Sequence, residues 1–154
     1  FGGSLFVERR SKARLLREID RIAETLGSGA VVTLFPEGTS SNGEGVLPFK
    51  GALFLAAEKA GVNIQPICIY YRTIDGRPVT EENRDLAFYY GDIRFFPHLL
   101  RLFFVRSIEV SVTFFDPIDS AGKERKAIVD EAYEKIVDQY RKERQRKVAD
   151  AMSD

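Results

Sequence analysis

The chain has 154 residues, of which 44% are hydrophobic, 30% charged and 12% aromatic, a composition that supports one domain with a packed core and excludes a disordered or low-complexity protein. Its 23 Lys and Arg balance 23 Asp and Glu, so no overall positive field exists to draw nucleic acid, and no nucleic-acid partner is expected. The single cysteine, Cys68, cannot form an internal disulfide, and with the single histidine, His98, it leaves too few ligands for a structural zinc site. No metal or redox cofactor is implied.

Phe1, Gly2 and Gly3 open the chain with no initiator methionine or targeting segment, so residues 1–154 are expected to be a single domain truncated at its amino-terminal side. Residues 4–7 read as a short strand. Residues 12–26 then place Leu15, Leu16, Ile19, Ile22, Ala23 and Leu26 at helical spacing, and Gly27 and Gly29 end the helix. The continuous apolar run 30–35 has strand length, so the opening third predicts a strand–helix–strand crossover with parallel strands. The polar connection 36–45 has neither period, and a loop of that length inside a domain is often functional.

Residues 50–60 predict a second helix and 64–71 a third strand. Pro66 lacks a backbone donor, which places that strand at an edge, at a bulge, or beginning there. Residues 73–84, with Asp75-Gly76-Arg77-Pro78, predict a turn-rich surface excursion. Ile108, Val110, Val112 and Phe114 alternate with Glu109, Ser111 and Thr113 as in a half-buried strand, and residues 123–147 form an amphipathic helix with Ile128, Ala132, Ile136 and Tyr140 four apart. The fold class is therefore α/β, with a mixed, largely parallel sheet flanked by helices.

The run 95–105 is the most apolar in the chain. As a helix it is too short to cross a bilayer. A core helix is the favoured reading because apolar residues surround most of its circumference; the alternative lays it in a membrane interface with Arg101 and Arg106 toward the headgroups.

Two stretches carry most of the functional signal. In Gly3-Ser4-Leu5-Phe6-Val7-Glu8-Arg9 a strand delivers an arginine just past its end, and in Phe35-Pro36-Glu37-Gly38-Thr39-Ser40 a second strand delivers a carboxylate and a turn. Parallel strands would bring both to the carboxyl edge of one sheet, where open α/β folds bind ligands.

These residues resemble the glycerophospholipid acyltransferases, the family that contains 1-acyl-glycerol-3-phosphate acyltransferase. Gly3, Phe6 and Arg9 match its Gly-x-x-Phe-x-x-Arg block. Phe35, Pro36, Glu37, Gly38 and Thr39 match its Phe-Pro-Glu-Gly-Thr block, with Ser40 where arginine is frequent. Phe49-Lys50-Gly51-Ala52 and Ile64-Gln65-Pro66-Ile67 resemble the next two blocks in order, Gln65 replacing the usual aliphatic residue before Pro66. The family's His-x-x-x-x-Asp block, which lies upstream of the arginine block, does not occur, because His98 is followed five residues later by Phe103. No catalytic residue is assigned within this chain, which alone is expected to be inactive.

The resemblance implies transfer of an acyl group from acyl-CoA or an acyl carrier protein to a hydroxyl of a lysophospholipid or glycerol-phosphate acceptor. A histidine acts as general base, and no covalent acyl-enzyme is needed. It implies Arg9 as a planar, permanently charged fork for phosphate, Glu37 as a holder of the glycerol portion or of the loop, Gly38 as a point of close backbone approach, Thr39 as a hydroxyl and Lys50 as a contact for phosphate or acceptor. Gly3, Phe6, Phe35, Pro36 and Pro66 have structural parts in the motifs. The implied location is the cytoplasmic side of a membrane, peripheral or anchored by segments outside this chain.

Plainer roles exist for each residue. Arg9, beside Arg10 and before Lys12, also suits a solvated helix entrance; Glu37 also suits a loop cap; Lys50 also suits the surface of a helix start. His98 reads as a packing or interfacial residue and Cys68 as a small buried hydrophobe. Ser40-Ser41 lack a nucleophile elbow, and Gly43-x-Gly45 is no dinucleotide loop. The second functional class is a non-catalytic module of the same fold that binds a lipid phosphate or an acyl chain.

Overall fold

A computed structural model describes residues 12–151. Gly3, Phe6 and Arg9, and the strand expected over 4–7, lie outside the described residues. Helix α1 (Lys12–Gly27) turns Ile19 and Ile22 inward, 2% and 1% exposed, so the centre of the predicted apolar stripe is buried, while Leu16 of that stripe is exposed. Helix α2 (Phe54–Ala60) follows a short 3-10 turn at Gly51–Leu53 and ends at Gly61, whose φ of 63° is the left-handed cap that glycine adopts at least cost.

Helix α2 joins two small cores. On one side Ala56 packs with Ile19 and Ile22; on the other Phe54 packs with Ile118, Ile128 and Ala132. The last two belong to the long helix α4 (Arg125–Ala151). At Gly51 an added Cβ would lie 3.1 Å from Val129 Cγ2, so the turn and α4 approach closely because that position has no side chain.

Strand β1 (Ile67–Ile74) starts one residue after buried Pro66, the third of the options the sequence left open, and the Pro66 carbonyl still accepts from Phe115 N–H at 3.1 Å. The predicted surface excursion begins as a hairpin: Asp75 (φ 50°) and Gly76 (φ 73°) link β1 to the two-residue strand β2 (Arg77–Pro78), the tight turn that Asp-Gly favours. Asp75 Oδ1 also accepts from Arg106 N–H and Ser107 N–H at 2.8 and 3.0 Å, fixing the entry to strand β3 (Ile108–Phe114).

The sheet order is β2–β1–β3 and every pairing in it is antiparallel, with Ile67 opposite Phe114 at one end and Ile74 opposite Ile108 at the other. The protein is mixed helix and strand as expected, but no parallel pairing occurs among the described residues. Residues 30–35 form no strand there: Val31 is 94% exposed and Phe35 73%. An apolar run becomes a strand only against a partner, and the segment predicted to pair with it, 4–7, is not among the described residues.

The β3 alternation holds, but its orientation is the reverse of the simple reading. The polar side of β3 faces α4, where Ser111 Oγ donates to Glu143 Oε1 at 3.0 Å. Val110, Val112 and Phe114 share the opposite face with Ile67, Ile69 and Tyr71, all exposed. Register explains this: β1 directs Cys68 and Tyr70 toward α4, and its pairing with β3 leaves Ser111 and Thr113 on that side.

Helix α3 (Phe95–Phe103) buries His98 at 6% exposure, as predicted for a packing residue, with Nδ1 3.2 Å from the Asp85 carbonyl. It is not a core helix. Phe96, Leu100 and Phe103 are 75%, 63% and 76% exposed. Apolar character around a whole short helix satisfies two environments at once, and the protein supplies only one of them. No helix among the described residues is long and apolar enough to cross a membrane.

Candidate functional site

The loop after residues 30–35 holds most of the candidate residues. Phe35 opens a tight turn in which Gly38 N–H donates to the Phe35 carbonyl at 3.1 Å. Pro36 supplies the fixed φ suited to the second turn position, and Gly38 takes a φ of +70° at the fourth. Two hydrogen bonds then close the loop. Lys50 N–H donates to the Pro36 carbonyl at 2.8 Å, and Leu47 N–H donates to Glu37 Oε2 at 2.6 Å.

The first closure brings two separate motif blocks, Pro36–Thr39 and Lys50, to one place. The second shows what Glu37 does in the free protein: one carboxylate oxygen pins the far side of the loop, and Oε1 makes no hydrogen bond among the described residues. Thr39 and Lys50 are exposed. The Thr39 hydroxyl has only a long contact to the Ser40 carbonyl, 3.4 Å, and the Lys50 ammonium has no ion-pair partner among the described residues. The site therefore presents a hydroxyl and a cation at the surface of a loop whose shape is fixed from beneath. Pro66 lies apart, buried just before β1.

The fixing comes from residues that carried no motif. Tyr140 Oη on α4 donates to the Gly43 carbonyl at 2.6 Å, Tyr133 Oη reaches the Val46 carbonyl at 3.5 Å, and Arg144 Nη1 donates to the Glu44 carbonyl. Burial pushes the Tyr140 phenol up to about 12, so it stays a donor at any physiological pH. From the other side Arg84 Nη1 donates to Glu44 Oε1 at 2.8 Å, and that guanidinium holds the Glu44 carboxyl below its ordinary range. Gly43 (φ +73°) lies against Phe88, where an added Cβ would stand 2.3 Å from Cε2, so both conformation and space require glycine there.

Among the described residues no group of three His, Cys, Asp or Glu side chains could hold a metal ion. A loop of this construction can position a polar or anionic group against Thr39 and Lys50. It contains no histidine and no general base paired with an orienting carboxylate.

A family model described as Acyltransferase matches residues 1–70, the span that includes both motif blocks and the Lys50 and Pro66 segments. The chain is 38% identical over 123 residues to a lyso-ornithine lipid O-acyltransferase of Rhizobium meliloti, covering 75% of this chain and 42% of that protein. It is 36% identical to a protein of the same description from Pseudomonas aeruginosa, over 87% of this chain and 49% of the relative. It is 32% identical to a 1-acyl-sn-glycerol-3-phosphate acyltransferase of Neisseria gonorrhoeae, over 87% of this chain and 51% of the relative. No solved structure matches. The chain belongs to the glycerophospholipid acyltransferase family, and it spans about half the length of the curated relatives it matches.

Proposed function

We propose that this chain is the acceptor-side part of a lysolipid acyltransferase, which moves an acyl group from a thioester to the free hydroxyl of a lysolipid or glycerol phosphate. The observation that carries the reading is the loop 36–50, which holds Thr39 and Lys50 outward in a frame braced by α4 and Arg84. In this reading Lys50 and Arg9 meet the acceptor's negative head group and Thr39 offers a hydrogen bond. Glu37 keeps its oxygen on Leu47, with Oε1 available to an acceptor hydroxyl. The general base is a histidine in a His-x-x-x-x-Asp block upstream, since this chain has none. The donor is acyl-CoA or an acyl carrier protein. The site of action is a membrane surface, because a lysolipid keeps its remaining acyl chain in the bilayer, and we place it on the cytoplasmic side because the proposed thioester donors are cytoplasmic.

A second acceptor has its own support: the relatives described as lyso-ornithine lipid O-acyltransferases reach 36–38% identity, against 32% for the Neisseria glycerol-phosphate enzyme. An ornithine head group presents an amine and a carboxylate in place of a phosphate. The test is thiol release from an acyl thioester by a polypeptide carrying the upstream block, with each acceptor varied at saturating donor. The 154-residue chain alone should give no turnover. Arg9→Ala should lower kcat/KM for the phosphate acceptor roughly ten- to a hundredfold, Arg9→Lys should recover part, and Arg10→Ala should do little. Robust turnover by the chain alone, or equal losses at Arg9 and Arg10, would overturn the assignment.

A further inference from the structure

We infer that α3 is a membrane-insertion element, a short helix that lies flat in the headgroup region of an anionic bilayer and seats the acceptor loop on the surface from which a lysolipid is drawn. The inference deepens the lysolipid reading and rests on it for the nature of the surface.

The geometry of the helix is the first support. At 100° per residue, Phe96, Leu100 and Phe103 project on the side opposite His98. His98 is 6% exposed while those three are 63–76% exposed, and Phe104, just beyond the helix, is 83% exposed. The outermost surface of the element is therefore its most apolar, the reverse of a solvated helix, which turns charge outward. Phe95 stands beside it with its ring 5.5 Å from Phe96 and 6.0 Å from half-exposed Tyr89. Aromatic rings in such an arrangement suit the membrane–water boundary.

Charge identifies the occupant. From residue 93 to 107 the sequence holds Arg94, Arg101 and Arg106, all exposed, and no Asp or Glu, the nearest acids being Asp92 and Glu109 outside α3. Exposed apolar side chains with exposed cations along the same short segment match a bilayer bearing negative headgroups.

The helix is also coupled to the loop. His98 Nδ1 lies 3.2 Å from the Asp85 carbonyl, Tyr90 Oη donates to Asp85 Oδ1 at 2.7 Å, Arg84 Nε donates to Tyr90 Oη at 3.2 Å, and Arg84 Nη1 reaches Glu44 in the acceptor loop. Seating α3 on a bilayer would thus place the loop near it.

The test is co-sedimentation of the 154-residue chain with phosphatidylcholine vesicles, with and without phosphatidylglycerol, and no thioester present. The chain should bind, more tightly to the anionic vesicles. The combined variant Phe96→Ser, Leu100→Ser, Phe103→Ser should lose at least about a hundredfold in partitioning with an unchanged far-ultraviolet spectrum, since all three side chains are already exposed. Arg94→Gln and Arg101→Gln should each cost about fivefold on anionic vesicles only. Val112→Ser, on the open sheet face, should change nothing. Three results would overturn the inference: no binding by the unaltered chain, equal binding by the triple variant, or a dimer in sedimentation equilibrium that the triple variant dissociates. Because no acyl transfer is measured, a failure of the acyltransferase reading appears separately, as absent thiol release from a protein that still binds vesicles through α3.

Discussion

Replacing Glu37 separates the two parts that its position allows. Its Oε2 accepts from Leu47 N–H at 2.6 Å across a half-buried loop, a charge-assisted bond of the kind that contributes about 1.5–3 kcal/mol. Glu37→Ala removes the acceptor and leaves a half-buried amide without a partner, so opening of the loop should become easier by about 2 kcal/mol. Glu37→Gln keeps an oxygen for Leu47 but loses the charge, and neutral bonds are roughly half as strong, so about 1 kcal/mol should be lost. Native-state hydrogen exchange reads this directly. The Leu47 amide should exchange about thirtyfold faster in Glu37→Ala, the Lys50 amide should accelerate with it because its bond to Pro36 closes the same loop, and amides of α1 should not respond. Thr39→Ala, which loses only a 3.4 Å contact, is the control and should leave Leu47 unchanged. Unaltered Leu47 exchange in Glu37→Ala would refute the pinning role and return Glu37 to ligand binding alone.

Glu143 on α4, 8% exposed, accepts from Arg72 Nη2 at 2.8 Å, Ser111 Oγ at 3.0 Å and Gln139 Nε2 at 3.2 Å, so Glu143→Ala should destabilise the fold by about 2 kcal/mol in urea denaturation. Alkaline pH should unfold the protein in two overlapping steps. Burial raises Cys68 from 9.0 to about 11 and Tyr140 from 10.0 to about 12, so the unfolded chain releases these protons first and binds fewer than the folded one. Stability is therefore full below about 9, falls through about 11 on account of Cys68, and falls further through about 12 on account of Tyr140. Cys68→Ala should remove the earlier part of that decline in thermal melts taken across the range.

Helical periodicity was the most informative signal. The helices predicted over 12–26 and 50–60 appear as Lys12–Gly27 and as Gly51–Leu53 running into Phe54–Ala60, because the apolar spacing of α1 meets α2, and α2 has apolar residues for both α1 and α4. Pro66 leaves an edge, a bulge and a start open, and β1 begins just after it, at Ile67 rather than at the predicted 64; of the packing and interfacial readings of His98, the buried position fits packing. The failures share a cause. An apolar pattern states that a face needs cover and does not name the cover. Residues 30–35 were apolar enough for a strand but have no strand partner among the described residues. In β3 the alternation was sound, yet the side turned toward α4 is the one with Ser111 and Thr113, because pairing with β1 decides which side that is. In α3 a helix apolar nearly all round predicts a core position, but it is the His98 side that is buried and the opposite side is exposed.

The candidate site was legible as residues and illegible as structure. Glu37, Gly38, Thr39 and Lys50 follow from a linear pattern, but the groups that hold their loop come from far along the chain: Tyr133 is 87 residues from Val46, Tyr140 is 97 from Gly43 and Arg144 is 100 from Glu44. Tyr140 carries the clearest lesson. In the sequence it is one more apolar residue in the α4 stripe, and its ring does pack edge-on against Tyr70 at 5.0 Å, while its hydroxyl does the work that no periodicity records. Helix α4 thus serves two ends with one surface. Ile128 and Ala132 seal the core against Phe54, and two to three turns later Tyr140 and Arg144 grip the loop. A rigid helix transmits displacement along its length, so a change that shifts α4 at Ala132 moves the Gly43 and Glu44 carbonyls with it. The geometry at Thr39 and Lys50 is in this way a property of the core, set where no motif lies.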